Sequence, residues 1–135
     1  MKIIVDTCIW SLALRRNTVE NNPYIEELKN LIEEIRVQFI GPIRQELLSG
    51  IKSKKQFDTL RIHLEAFADI ELESKDYELA AEYFNAARKK GIQGSNTDFL
   101  ICAISSRHKI PILTTDKDFT NFQSVFPVSL HVPRR

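Results

Sequence analysis

The chain has 135 residues, with 19 Lys and Arg against 18 Asp and Glu and a formal net charge of +1, the size of one domain that buries roughly two-thirds of the surface its unfolded form exposes. Such a balance neither marks nor excludes a nucleic-acid binder, because the placement of the charges decides, whereas the absence of an apolar run near the roughly 20 residues a bilayer demands excludes a spanning helix. Two cysteines, Cys8 and Cys102, and an apolar start "MKIIV" that runs at once into Asp6 lead us to expect a soluble cytoplasmic protein with free thiols and no membrane partner.

In chain order, "KIIVD" (2–6) is a β-branched run ending in a carboxylate, the pattern of a strand buried on both faces of a parallel sheet. Residues 24–36 carry Ile25, Leu28, Ile32 and Ile35 among charged residues and read as an amphipathic helix opened by Pro23. "VQFI" (37–40) is a second strand. Gly41 and Pro42 open a short helix that Gly50 ends, with Glu46 near its middle. Phe57, Leu60, Leu64 and Phe67 recur at helical spacing over 53–68, and "DIELE" after them reads as a third strand. Residues 76–91 form a helix with a basic last turn and a Gly stop. Another helix runs from near Ser95 to about His108, followed by a fourth strand, "IPILTTD" (110–116), a short helix "FTNFQSVF" and a fifth strand, "VSLHV" (128–132). Strands alternating with helices predict one α/β domain over 1–135, built on a parallel sheet with right-handed crossovers.

In such sheets ligands bind outside the carboxyl ends of the strands. Asp6 ends the first strand and Asp116 follows the fourth; Glu46 lies on the helix after the second, and Asp98 in the first turn of the helix before the fourth. Each has a plain reading, Asp98 above all, since Ser95-Asn96-Thr97-Asp98 fits a capping box. Together they are candidates to meet at one edge, where close carboxylates repel one another unless a divalent cation intervenes. Oxygen-only ligands suit Mg²⁺ or Mn²⁺. Asp118 reads as the N-cap of the last helix.

"IIVDTCIW", "PIRQELLSGI", "GIQGSNTDFLICAIS" and "IPILTTDKDF" resemble, in order and spacing, the four acid-bearing blocks of the PIN-domain ribonucleases, and within them the small VapC-type toxins. The resemblance covers nearly the whole chain. It implies a PIN-like fold with a central five-stranded parallel sheet flanked by helices. It implies Asp6, Glu46, Asp98 and Asp116 as catalytic metal-site residues for Mg²⁺ or Mn²⁺, with Thr7 and Thr115 as hydroxyl neighbours. It also implies a homodimer and a cognate antitoxin, which we expect in an exposed groove near 24–36 and 53–68.

The chemistry to expect is metal-dependent hydrolysis of an RNA phosphodiester by a coordinated water. Basic residues must hold the strand around the acidic pocket; candidates are Arg15, Arg16, Lys52, Lys54, Lys55, Lys89, Lys90 and Lys117. His63, His108 and His131 are scattered and form no recognisable catalytic pair, and Trp10 and Phe119 are expected in the core. Cys8 and Cys102 allow a mixed thiolate–carboxylate zinc site as a rival. A phosphoryl-transfer receiver is disfavoured because Cys8 stands where its second acid would be. The other alternative is a catalytically inactive PIN-like module that binds RNA or regulates.

Overall fold

The computed structural model describes residues 1–15 and 22–134; Arg16, one of the basic candidates, lies outside them. In chain order the elements are β1 (Ile3–Val5), α1 (Thr7–Leu14), α2 (Pro23–Glu33), β2 (Val37–Gln38), α3 (Gly41–Leu48), α4 (Lys54–Leu64), α5 (Ser74–Lys89), α6 (Asn96–His108), β3 (Ile112–Leu113) and α7 (Asp118–Val125). β1 is central in a parallel sheet of order β2-β1-β3, with Ile3 opposite Val37 and Val5 opposite Leu113. Ile3, Ile4 and Val5 are fully or almost fully buried, as a strand covered on both faces requires.

The sheet differs from the five strands expected. Among the described residues the two outer segments are reduced to single parallel bridges, Phe39 with Asp69 and Ile112 with Leu130. The segment 69–73 is held by one backbone bond, from Ile70 N to Phe39 O, before Glu73 starts the cap of α5. The segment 128–132 is bracketed by Pro127 and Pro133, which have no N–H to extend a ladder.

Local sequence explains the helix starts. The Asn22 side chain accepts from the N–H groups of Tyr24 and Ile25 with Pro23 at the first helical position, and Ser53 caps α4 through the Gln56 N–H. The Ser95–Asp98 capping box forms as expected. α1 was not anticipated; Asp6 both ends β1 and caps this helix.

α2 is rotated from the face read in the sequence. Its buried residues are Ile25, Glu27, Leu28 and Leu31, whereas Ile32 is 39% and Ile35 78% exposed. The reason is twofold: Glu27 is drawn inward by His131 and Arg134, and the helix stops at Glu33, leaving Ile35 in the left-handed region at φ 56° as the chain turns into β2. α5 packs along α6. Phe84, Phe99, Phe119, Phe122 and Phe126 meet in edge and tilted pairs beneath them, and Trp10 packs edge-on against Phe39 and Phe67, so Trp10 and Phe119 are core residues. Gly94 permits this arrangement: a Cβ there would lie 2.7 Å from the Phe122 ring and 3.0 Å from that of Phe99, so a larger residue would displace the turn that delivers Asp98.

Candidate metal centre

Because the three strands are parallel, their carboxyl ends share one edge, and the acids arrive there on different elements. Asp6 leaves β1, Glu46 is carried by α3, Asp98 by the first turn of α6, and Asp116 by the loop after β3. All four line one open cavity of about 640 Å³ together with Thr7, Cys8, Ser11, Gln45, Ser49 and Thr97. Among the described residues no Lys, Arg or His lines it.

Asp6 is 6% exposed. Its Oδ1 accepts from the Thr7 N–H at 2.8 Å and its Oδ2 from the Thr114 hydroxyl at 2.8 Å, with the Cys8 thiol donating at 3.5 Å. Burial pushes its carboxyl above the ordinary value, the three hydrogen bonds oppose this in part, and the charge of Asp98 adds to the rise. Asp98 serves the capping box, its Oδ2 accepting from the Ser95 N–H at 3.0 Å. Burial raises it too, Ser95 opposes, and the carboxylates of Asp116 and Glu46 raise it further. The structural and site roles of Asp98 are therefore carried by the same side chain. Glu46 is exposed and accepts from the Thr7 hydroxyl at 2.6 Å.

Asp116 Oδ1 accepts from the Asp118 N–H at 2.9 Å. This corrects the reading of Asp118 as N-cap: Asp118 is the first helical residue of α7, exposed, and Asp116 holds its N–H. The hydroxyl emphasis also changes. Thr114, not singled out from the sequence, donates to Asp6 and accepts from the Asp116 N–H at 3.0 Å, bridging two of the acids. Thr115 is exposed and its hydroxyl donates to the Cys8 sulfur at 3.4 Å. Both hydroxyls lie 3.4 Å from the Cys8 sulfur, in the loop just past β3, where no strand alternation distinguishes them.

The donor set fits a hard divalent cation, being all oxygen, with Asp6 and Asp98 raised by burial and by the charge of neighbouring carboxylates. Among the described residues, however, no three His, Cys, Asp or Glu side chains are gathered closely enough to form a finished metal site. The thiolate rival fares less well. Cys102 is fully buried, and burial together with the charges of Asp98 and Asp6 pushes its thiol well up, which keeps it protonated.

The basic candidates scatter. A groove adjoining the pocket at Ser11 runs between α1, α3 and α4 and is lined by Leu14, Arg15, Leu47, Lys55, Leu60 and His63, among others. This groove borders the expected stretch 53–68, and a further one, lined by Ile32, Ile35, Ala66 and Phe67, touches both expected stretches, 24–36 and 53–68. Lys117 is exposed beside Asp116. Lys52 is exposed, Lys54 pairs with Asp58 at 3.1 Å, and Lys89 and Lys90 stand at the far end of α5, outside the acidic pocket. His108 and His131 are engaged by Asp76 and Glu27, away from the acids.

The fold has close counterparts among solved structures. It is similar to FitAcB from Neisseria gonorrhoeae (21% identity, TM-score 0.73, 97% of each chain covered). It is also similar to VapBC2 from Rickettsia felis, solved bound to a DNA fragment from their promoter (21% identity, TM-score 0.76, 97% of this chain and 98% of that one), and to DNA-bound VapBC from Salmonella typhimurium (16% identity, TM-score 0.71, 97% of each chain). No curated protein matches the chain. The family model described as PIN domain matches residues 3–124, and with that match spanning the strand ends and all four acids, the chain belongs to the PIN domain family.

Proposed function

We propose that this protein is an endoribonuclease that hydrolyses RNA phosphodiester bonds with Mg²⁺ or Mn²⁺ at Asp6, Glu46, Asp98 and Asp116, and that it is the toxin of a type II toxin–antitoxin pair. The observation that carries the reading is a pocket lined by four carboxylates from separate parts of the chain and, among the described residues, by no cationic side chain. Carboxylates so placed are costly unless positive charge is supplied from outside the protein.

A bound divalent cation supplies Lewis acidity and lowers the pKa of a coordinated water. The chain's own residues do the positioning. Thr114 and the Thr7 N–H fix the Asp6 carboxylate, the Thr7 hydroxyl turns Glu46, and the capping box orients Asp98. Lone pairs on these carboxylates left over from the hydrogen bonds are available to the cation, and raised Asp6 and Asp98 stand to gain most from its charge. Because the pocket itself repels phosphate, the strand is held at its rim, where Arg15, Lys55, His63 and Lys117 lie.

The pairing with an antitoxin draws on the resemblance to VapC-type toxins and on the likeness of the fold to the FitAB and VapBC structures. The groove beside α1, with Leu14, Leu47, Ile51 and Leu60 in its wall, is the place for an apolar antitoxin segment. A homodimer in the cytoplasm completes the reading. The test is sequencing of RNA ends after expression of the protein in a bacterial host beside an Asp98→Asn control. New ends with the wild type alone support the proposal; the same ends with both proteins contradict it. A second reading, an inactive PIN-like module that binds RNA or regulates, is favoured by the one fact that among the described residues no three acids are gathered in bonding reach. It predicts RNA binding with no new ends.

A further inference from the structure

A second groove continues from the acidic pocket, sharing Pro42, Gln45 and Thr97 with it, and passes between α3, α5 and the start of α6. Its wall differs in kind from both neighbours. Among the described residues it has no carboxylate and no Lys, Arg or His, in contrast to the α1 groove with Arg15, Lys55 and His63, and Ala80, Ala81, Phe84 and Leu100 make much of it apolar. Tyr77 stands in it 54% exposed, an aromatic ring that the core does not use. The amides of Gln45, Asn85 and Asn96 line it as well, and among the described residues these side chains make no hydrogen bond within the chain.

A wall of this composition is poorly matched to phosphate and well matched to a nucleobase. A ring face offers stacking to any base, and a carboxamide offers a donor and an acceptor side by side, the pattern that reads a base edge. Continuity with the acidic pocket sets the distance scale: a base seated here belongs to a nucleotide at or next to a phosphate held in the pocket. From this we propose that the α5 groove is a base-recognition subsite for single-stranded RNA, with Tyr77 as the stacking platform and Asn85, aided by Gln45 and Asn96, reading the base edge. The inference rests on the ribonuclease reading for its substrate, and it adds that cleavage is selective for the base beside the cut. The competing occupant of the same face is a second copy of this chain.

Tyr77 and Asn85 are exposed on a helix, so alanine, the best helix former, leaves α5 formed. Binding of fluorescent single-stranded homopolymer RNAs in the presence of chelator tests the subsite without cleavage. The wild type is expected to prefer one or two bases; Tyr77→Ala weakens binding about tenfold, and Asn85→Ala flattens the preference among bases. Sedimentation of both variants is expected to match the wild type. Equal binding of all homopolymers by the wild type, or an unchanged preference in Asn85→Ala, overturns the inference. A Tyr77→Ala protein that changes from dimer to monomer also overturns it and assigns the groove to a second copy. Cleavage is scored separately: base-selective, Tyr77-dependent binding by a wild type that cuts no RNA with Mn²⁺ upholds the subsite and sinks the ribonuclease reading, whereas cutting without base selectivity does the reverse.

Discussion

Two sets of carboxylates in this chain, buried or half-buried, are compensated in opposite ways. Asp76, fully buried, is met by Arg107 at 2.6 Å and His108 at 3.2 Å, and Glu27, 1% exposed, by His131 and by Arg134 at 2.8 Å. Burial pushes both carboxyls up, but hydrogen bonds and the nearby guanidinium groups more than reverse it, and both lie below the ordinary value. Among the described residues Asp6 and Asp98 are met only by hydroxyl, thiol and backbone N–H groups, and both lie above it. The first pair ties together distant parts of the chain: Asp76 joins α5 to α6, and Glu27 joins α2 to the C-terminal segment. The second pair spends stability on charge that the protein does not neutralise, which is the condition in which an external cation binds.

The largest expected effect separates the two sets by activity. Asp98→Asn and Asp6→Asn should lower Mn²⁺-dependent RNA cleavage by more than about 100-fold while circular dichroism stays that of the wild type; a variant that unfolds would return Asp98 to a purely capping role. Next comes stability. Asp76→Asn should cost about 2–3 kcal/mol in urea unfolding, because a fully buried residue loses the charge that strengthens its hydrogen bonds to Arg107, His108 and the Glu73 N–H, whereas Asp98→Asn in chelator should cost nothing or stabilise. Equal losses at both positions would erase the distinction.

The pH dependence should carry the same signs. Glu27 and Asp76, lowered in the fold, stabilise it fully above the ordinary carboxylate value of about 4, and that stability is lost as pH falls below it toward their folded values. Asp6 and Asp98, raised, act oppositely: their penalty is absent at low pH and develops as pH rises from about 4 through their folded values. Any advantage of Asp98→Asn over the metal-free wild type should therefore shrink as pH falls from 7 to 4, as read by urea midpoints. A constant difference would show that charge is not its cause. Smaller still, Thr114→Val should weaken metal-dependent cleavage about tenfold, as loss of a group that holds a ligand does, and Thr115→Val and Asp118→Asn should change it by less than about threefold. The reverse order would make the exposed threonine or Asp118 the site residue.

Much of the fold was readable because its signals are local. The buried strand "IIV" and the Ser95–Asp98 capping box are written in consecutive residues, and the delivery of Asp6 and Asp116 to one edge follows from parallel strand ends. What was not readable depends on residues far apart. The inward turn of α2 is decided by Glu27 meeting His131, 104 positions on, and Asp76 finds Arg107 31 positions on. Neither counter-ion marks itself in a sequence window. The outer strands failed for another reason, since an apolar run records burial but not how many ladder bonds an edge makes. Thr114 lies just past β3, in the loop that carries Asp116, where no periodic pattern marks which hydroxyl meets Asp6.

The central claim is that the pocket acids hold a divalent cation, and calorimetric titration of the chelator-stripped protein with Mn²⁺ tests it most directly. The account predicts saturable binding to the wild type, an affinity more than about tenfold weaker in Asp98→Asn, and wild-type affinity in Asp118→Asn. No saturable binding to the wild type, or equal affinity in Asp98→Asn, would contradict it.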